Sequence, residues 1–128
     1  MTAGDFETLA TAARAESAAP AELDGWPFGV IRLDREGHVL FHSQSEKRLS
    51  GFGDREVLGR DFFTSIAPCM NNPMFRGRIA QAQRAGAFAM EFSYVGDFAD
   101  ASRPLQVRIE SASDGGLWIF MKRPDGVG

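Results

Sequence analysis

The chain has 128 residues, 44% of them hydrophobic and 24% charged, with a formal net charge of −3. That is the size and composition of one soluble domain able to bury its own core, and the mild acidity argues against nucleic acid or an anionic membrane surface as partner. One cysteine excludes an internal disulfide, and one cysteine with two histidines (His38 and His42) makes a poor zinc set. No apolar run is long enough to cross a bilayer, and no basic segment precedes an apolar one at the N-terminus, so a cytoplasmic protein is expected.

Residues 1–22 form an alanine-rich block. Phe6, Leu9, Ala10 and Ala13 recur at helical spacing, which predicts a short amphipathic helix ending before Pro20. It is too short to stand alone and should pack as a cap on the domain spanning 23–124, with 125–128 a tail. Residues 29–34 and 38–42 read as strands, and Asp34-Arg35-Glu36-Gly37 between them has the chemistry of a hairpin turn. Ser43-Gln44-Ser45-Glu46 matches a capping box opening a short helix that Gly51 closes. Short helical pieces are predicted over 54–58 and 61–66. Asn72-Pro73 starts a longer helix with Asn as cap and Pro in the first turn, ending at Gly86. Arg76, Arg78 and Arg84 on that helix read as a solvated face.

The last third is strands. Residues 88–95 alternate around Phe92 and Tyr94, and 104–109 place Leu105, Val107 and Ile109 on one side. Leu117 to Met121 is a continuous apolar run suited to a central strand, reached through a turn at Asp114-Gly115-Gly116. The expected fold class is α+β, built on one antiparallel sheet. Catalytic motifs are absent. Gly51-Phe52-Gly53 lacks a third glycine and a Lys-Ser/Thr pair. His42 and Ser43 are strand neighbours pointing to opposite faces. On the residues alone, Cys69 is a buried inert thiol and the chain a small sensor or interaction domain.

Several segments resemble the photoactive yellow protein family: Leu23-Asp24-Gly25, Phe28-Gly29, Leu33-Asp34, Asp61-Phe62-Phe63 with Ala67-Pro68-Cys69, Pro73, Phe75, and Trp118, Phe120, Lys122-Arg123. The spacing of Phe62-Phe63 and Ala67-Pro68-Cys69 from Glu46 is the most specific part. The resemblance implies a PAS fold, a five-stranded antiparallel sheet flanked by helices with an N-terminal cap. It implies 4-hydroxycinnamic acid (p-coumaric acid) as a thioester on Cys69, a linkage that needs a thiolate at attachment. Glu46 would be a buried acid bonded to the phenolic oxygen, with its pKa raised by burial beside an anion. The other reading of Glu46 is a surface carboxylate closing the capping box on the Ser43 amide. Ser50 would stand for the family's threonine, and Ile31, Phe62, Ile66, Ala67 and Pro68 would be apolar wall. Light would isomerise the pigment, move a proton from Glu46 and loosen the cap.

The chain departs from the family at four pocket positions: His42 for a tyrosine, Phe52 for an arginine lid, and Gly96 and Asp100 for a phenylalanine and a methionine. Asp100 in place of the methionine implies slow thermal recovery. The alternative function is a chromophore-less PAS module for ligand sensing or dimerisation. A cysteine enzyme is disfavoured because no motif supplies a base for Cys69. The downstream signalling partner is not legible.

Overall fold

The computed structural model of the chain describes residues 6, 9–50, 57–95 and 104–122, without the side chains of residues 48–50 and 69. Five strands form one antiparallel sheet: β1 Gly29–Leu33, β2 Val39–His42, β3 Ala89–Val95, β4 Pro104–Ser111 and β5 Leu117–Lys122, in spatial order β2-β1-β5-β4-β3. The apolar run 117–121 therefore lies at the centre, paired with β1 on one side and β4 on the other.

Turn chemistry sets the register. Asp34 Oδ1 accepts from the N–H groups of Glu36 and His38, and Gly37 takes φ 93°, a left-handed angle that suits glycine. Leu33 pairs with Val39 and Arg32 with Phe41, so Leu40 is an extra residue that bulges outward, 48% exposed. The bulge puts His42 opposite Ile31, on the same sheet face.

Strand alternation then sorts the core into two clusters. Ile31, Leu33, Val39, Leu105, Val107, Ile109, Leu117, Ile119 and Met121 point one way, against Phe62, Phe63, Ile66, Met70, Phe75 and Ile79 from the helical segments. Val30, Trp118 and Phe120 point the other way, against Phe6, Ala10, Ala15, Leu23, Trp26 and Phe28. The first cluster lies on the site face of the sheet and the second on the cap face.

The N-terminal segment packs on the sheet as expected, but its helix differs. Phe6 and Leu9 are helical, with the Ala10 N–H on the Phe6 carbonyl, and a separate helix α1, Ala12–Ser17, follows, capped by Thr11, whose side chain accepts from the Arg14 N–H. The cap interrupts the periodicity, so Ala13 faces solvent and Ala15 is the buried residue. Pro20 does not follow the last helix; as its N1 residue it opens α2, Pro20–Asp24, which crosses the 22/23 boundary. Helix α3, Gln44–Ser50, follows β2 directly. A π-helical turn, Phe62–Ile66, is capped by Asp61 and closed by the Ala67 N–H on the Phe62 carbonyl. The 3-10 turn Pro68–Met70 follows it. Asn72 then caps a second π-turn, Pro73–Gly77, that runs into α4, Arg78–Ala85, ended by Gly86 at φ 106°. Of the piece expected over 54–58, residues 54–56 lie outside the described residues, and Leu58 and Gly59 form a turn rather than a helix.

Candidate functional site

Where β2 gives way to α3, one serine solves two hydrogen-bonding problems. An antiparallel ladder asks the Ser43 carbonyl to accept from Val30, but that carbonyl already accepts from Lys47 as the first bond of α3. The Ser43 hydroxyl takes its place and accepts from the Val30 N–H at 3.1 Å, while the Ser43 N–H donates to the Val30 carbonyl. The same hydroxyl caps α3 by accepting from the Glu46 N–H at 3.0 Å.

Glu46 is thereby held at the third position of α3, fully buried. That burial excludes a surface carboxylate. Its carboxyl lies directly against Gly29 of β1, where an added Cβ would fall 2.8 Å from Glu46 Cδ and overlap Oε1. Only glycine leaves room there. His42, Ser43, Ser45 and Glu46 are the buried polar residues of the described chain, and all lie at this β2–α3 junction. A cluster of this kind in an otherwise apolar interior is unusual, because each polar group carries a desolvation cost.

His42, 5% exposed, sits across from Ile31 in the strand pairing. Ile31, Phe62, Ile66 and Ala67, all expected in the apolar wall, belong to the site-face cluster. Pro68 does not: it is exposed, because it opens the 3-10 turn and its ring faces outward while Ala67 and Met70 on either side are buried. Cys69 occupies the middle of that turn, which is held by the Met70 N–H on the Ala67 carbonyl and the Asn71 N–H on the Pro68 carbonyl. Ser50 is the last residue of α3, and its side chain lies outside the described residues, as do Phe52, Gly96 and Asp100. Arg76 and Arg78 are not simply solvated. Their guanidinium carbons lie 5.0 Å and 4.6 Å from the centroids of Phe63 and Phe92, at the rim of the site face.

Ser45 and the packing role of Gly29 were not anticipated. Both were in plain view, Ser45 inside the capping-box motif and Gly29 inside the Phe28-Gly29 pair, but nothing local in sequence says that two segments thirteen or more residues apart will touch.

The cap face is fastened differently. Glu16 Oε2 accepts from the Trp118 indole N–H at 3.0 Å and from the Ser113 N–H at 2.9 Å. Arg32 pairs with Asp114 at 2.9 Å and lies 5.0 Å over the Trp118 ring. Burial pushes the Glu16 carboxyl up, but the Ser113 and Trp118 hydrogen bonds and the nearby Arg32 charge outweigh it and hold the group below its ordinary value. Asp114 is likewise lowered, chiefly by the Gly116 N–H. Glu110 accepts from the Ala12 N–H at 2.8 Å, tying the start of α1 to β4. Asp34, Glu36 and His38 bring ligand atoms within 4.8 Å of one another, but Asp34 there serves to close the hairpin turn. Among the described residues no helix is long and apolar enough to cross a membrane.

Known proteins resemble this chain in sequence and fold. The photoactive yellow protein of Rhodobacter capsulatus is 32% identical over 105 residues, 81% of this chain and 85% of that one. That of Rhodothalassium salexigens is 35% identical over 104 residues, 80% of this chain and 83% of that one. Among solved structures, the photoactive yellow protein domain of the sensor histidine kinase Ppr from Rhodospirillum centenum matches with a TM-score of 0.78 at 34% identity, over 88% of this chain and 100% of that one. The PAS domain of an HTR-like protein from Haloarcula marismortui shares the fold alone, at 18% identity and a TM-score of 0.56, over 87% of this chain and 98% of that one. No protein-family model matches the chain. On the identity to its curated relatives and the five-stranded antiparallel PAS architecture, the chain belongs to the photoactive yellow protein family.

Proposed function

We propose that this chain is a blue-light photosensor that carries 4-hydroxycinnamic acid as a thioester on Cys69, with Glu46 as the acid facing the phenolic oxygen. The observation that carries the reading is the complete burial of the Glu46 carboxyl at the edge of an apolar cluster. The residues fit such a group: a buried acid, a buried imidazole opposite Ile31, and a lone thiol on the turn beside Ala67. When bound, the pigment supplies an ionisable phenol and a double bond that light can isomerise.

Ile31, Phe62, Ile66 and Ala67 exclude water, so charge inside is expensive. In the dark Glu46 keeps its proton, since the neutral carboxyl is the cheaper buried form. After illumination Glu46 would pass that proton to the phenolate oxygen it faces and be left as a buried carboxylate. An uncompensated buried charge costs on the order of 3–5 kcal/mol, against a domain margin of about 5–15 kcal/mol. The output is therefore a change in stability, and no substrate is turned over. His42 takes the family tyrosine's place beside the phenolic oxygen; Ser50, Phe52, Gly96 and Asp100 complete the pocket in this reading.

The test is loading with activated 4-hydroxycinnamate. The wild type should gain the pigment's mass and a visible band that bleaches in blue light and returns in the dark, slowly because of Asp100. Cys69→Ala should fold and stay colourless. A wild type that folds but takes up no pigment would contradict the proposal. It would favour the alternative, a PAS module for ligand sensing or dimerisation, which draws on the departures at His42, Phe52, Gly96 and Asp100.

A further inference from the structure

The hydrogens at the β2–α3 junction can be placed from the heavy atoms. Ser45 Oγ donates to the Phe28 carbonyl at 2.9 Å, which uses its single hydrogen. The Ser43–Ser45 contact of 3.0 Å must therefore run from Ser43 to Ser45. Ser43 Oγ then has both lone pairs engaged, by the Val30 and Glu46 amides. A head-to-tail chain results: Glu46 N–H to Ser43 O–H to Ser45 O–H to the Phe28 carbonyl. Every link is buried, and in such chains each bond polarises the next.

The residues at the two ends turn their side chains to opposite faces: Glu46 lies where a Gly29 Cβ would point, on the side of Ile31 and Leu33, and Phe28 lies in the cap-face cluster. Glu46 belongs to the site. The side chains of Phe28 and Val30 belong to the cap face, where Phe28 meets Phe6 edge-on at 5.1 Å, Trp26 at 5.5 Å and Phe120 at 6.2 Å. Gly29, between them, carries the Glu46 carboxyl on its bare Cα. Residues 28–30 therefore hold Glu46 by backbone, by hydroxyl chain and by contact, and present their own side chains to the cap.

We infer that Ser43 and Ser45 are positioning residues that couple Glu46 to the N-terminal cap through the backbone of residues 28–30. Displacement of Glu46 pulls on the Ser43 hydroxyl, and the strain arrives at the Phe28 carbonyl, whose side chain holds Phe6. The serines bond to Val30, Glu46 and Phe28, and act by fixing one residue and transmitting its movement. The inference rests on the reading above only in taking Glu46 as the group whose state changes.

The experiment is residue-resolved amide hydrogen exchange on pigment-free protein, so that it stands whether or not Cys69 takes up pigment. Ser45→Ala strands the Ser43 hydrogen and the Phe28 carbonyl. Stranding a buried partner weakens local protection by about tenfold or more. The expected pattern is faster exchange at Val30 and Glu46 and, by a similar factor, at Ala10 and Ala15 of the cap, with Val107 and Ile109 of β4 unchanged. Ser45→Thr, which keeps the hydroxyl, should return the cap amides towards wild type. Faster exchange at Val30 and Glu46 with no change at Ala10 and Ala15 would overturn the coupling. So would an equal rise at β4, which would mean general loosening, or no change anywhere.

Discussion

The two faces of the sheet handle charge in opposite ways. On the site face an acid and an imidazole are sealed at the edge of an aliphatic and aromatic cluster, and polar atoms meet polar atoms inside the fold. On the cap face the interior is aromatic, and the carboxylates Glu16, Glu110 and Asp114 stay at the seam, partly in water. A charge that appears inside must be compensated or the fold gives way. A charge at the seam can let go into solvent at little cost. In the proposed function, the group that changes charge would thus sit where charge is expensive, and the cap that answers it where contacts are cheap to break.

Core truncation should separate the faces most widely. Phe62→Ala opens a cavity in the closed site face and should cost about 3–5 kcal/mol of global stability by denaturant melting. Phe6→Ala should undock the cap yet leave the melting of the sheet nearly unchanged. Equal losses would mean that cap and sheet fold as one unit.

Gly29→Ala sharpens the comparison at the junction. The new methyl overlaps the Glu46 carboxyl, an overpacking worth about 1–3 kcal/mol. In a Glu46→Ala background the overlapping atoms are gone and most of that cost should vanish. A cost unchanged between the two backgrounds would show that the carboxyl does not rest on Gly29.

Acid should loosen the cap face. Glu16 and Asp114 are held below their ordinary values in the folded state, so their contribution is present above those ordinary values, 4.5 and 3.8, and is lost as pH falls through the lowered ones. Both tryptophans, Trp26 and Trp118, lie in the cap cluster, so intrinsic fluorescence reports this face. The emission should shift as pH falls below about 4, and Glu16→Gln should blunt that shift. A Glu16→Gln protein with the wild-type acid transition would remove Glu16 from the seam. The smallest effect is expected at the rim, where Arg78→Ala should cost about 0.5–1 kcal/mol by removing the cation over Phe92.

The pattern of strands and turns was readable because each signal is local. Alternation in β4, the apolar run of β5 and the Asp34–Gly37 turn needed no distant partner to be recognised. The burial of Glu46 could be proposed only from likeness to a family, since Ser43-x-x-Glu46 reads equally well as a surface capping box. What decided it was Val30, thirteen residues earlier, which claims the Ser43 hydroxyl and amide. The helical face at Phe6, Leu9 and Ala10 was read correctly, but not the break after it, because Thr11, a cap, sits inside an apparently continuous apolar period.

The central claim is that a change at Glu46 on one face is answered on the other. It is tested most directly by hydrogen exchange on pigment-loaded protein, in the dark and under steady blue light. Exchange should quicken at Glu46, Val30, Ala10 and Ala15 under light and reverse in the dark, with β4 protected throughout. A loaded protein that bleaches while Ala10 and Ala15 exchange at their dark rates would contradict it.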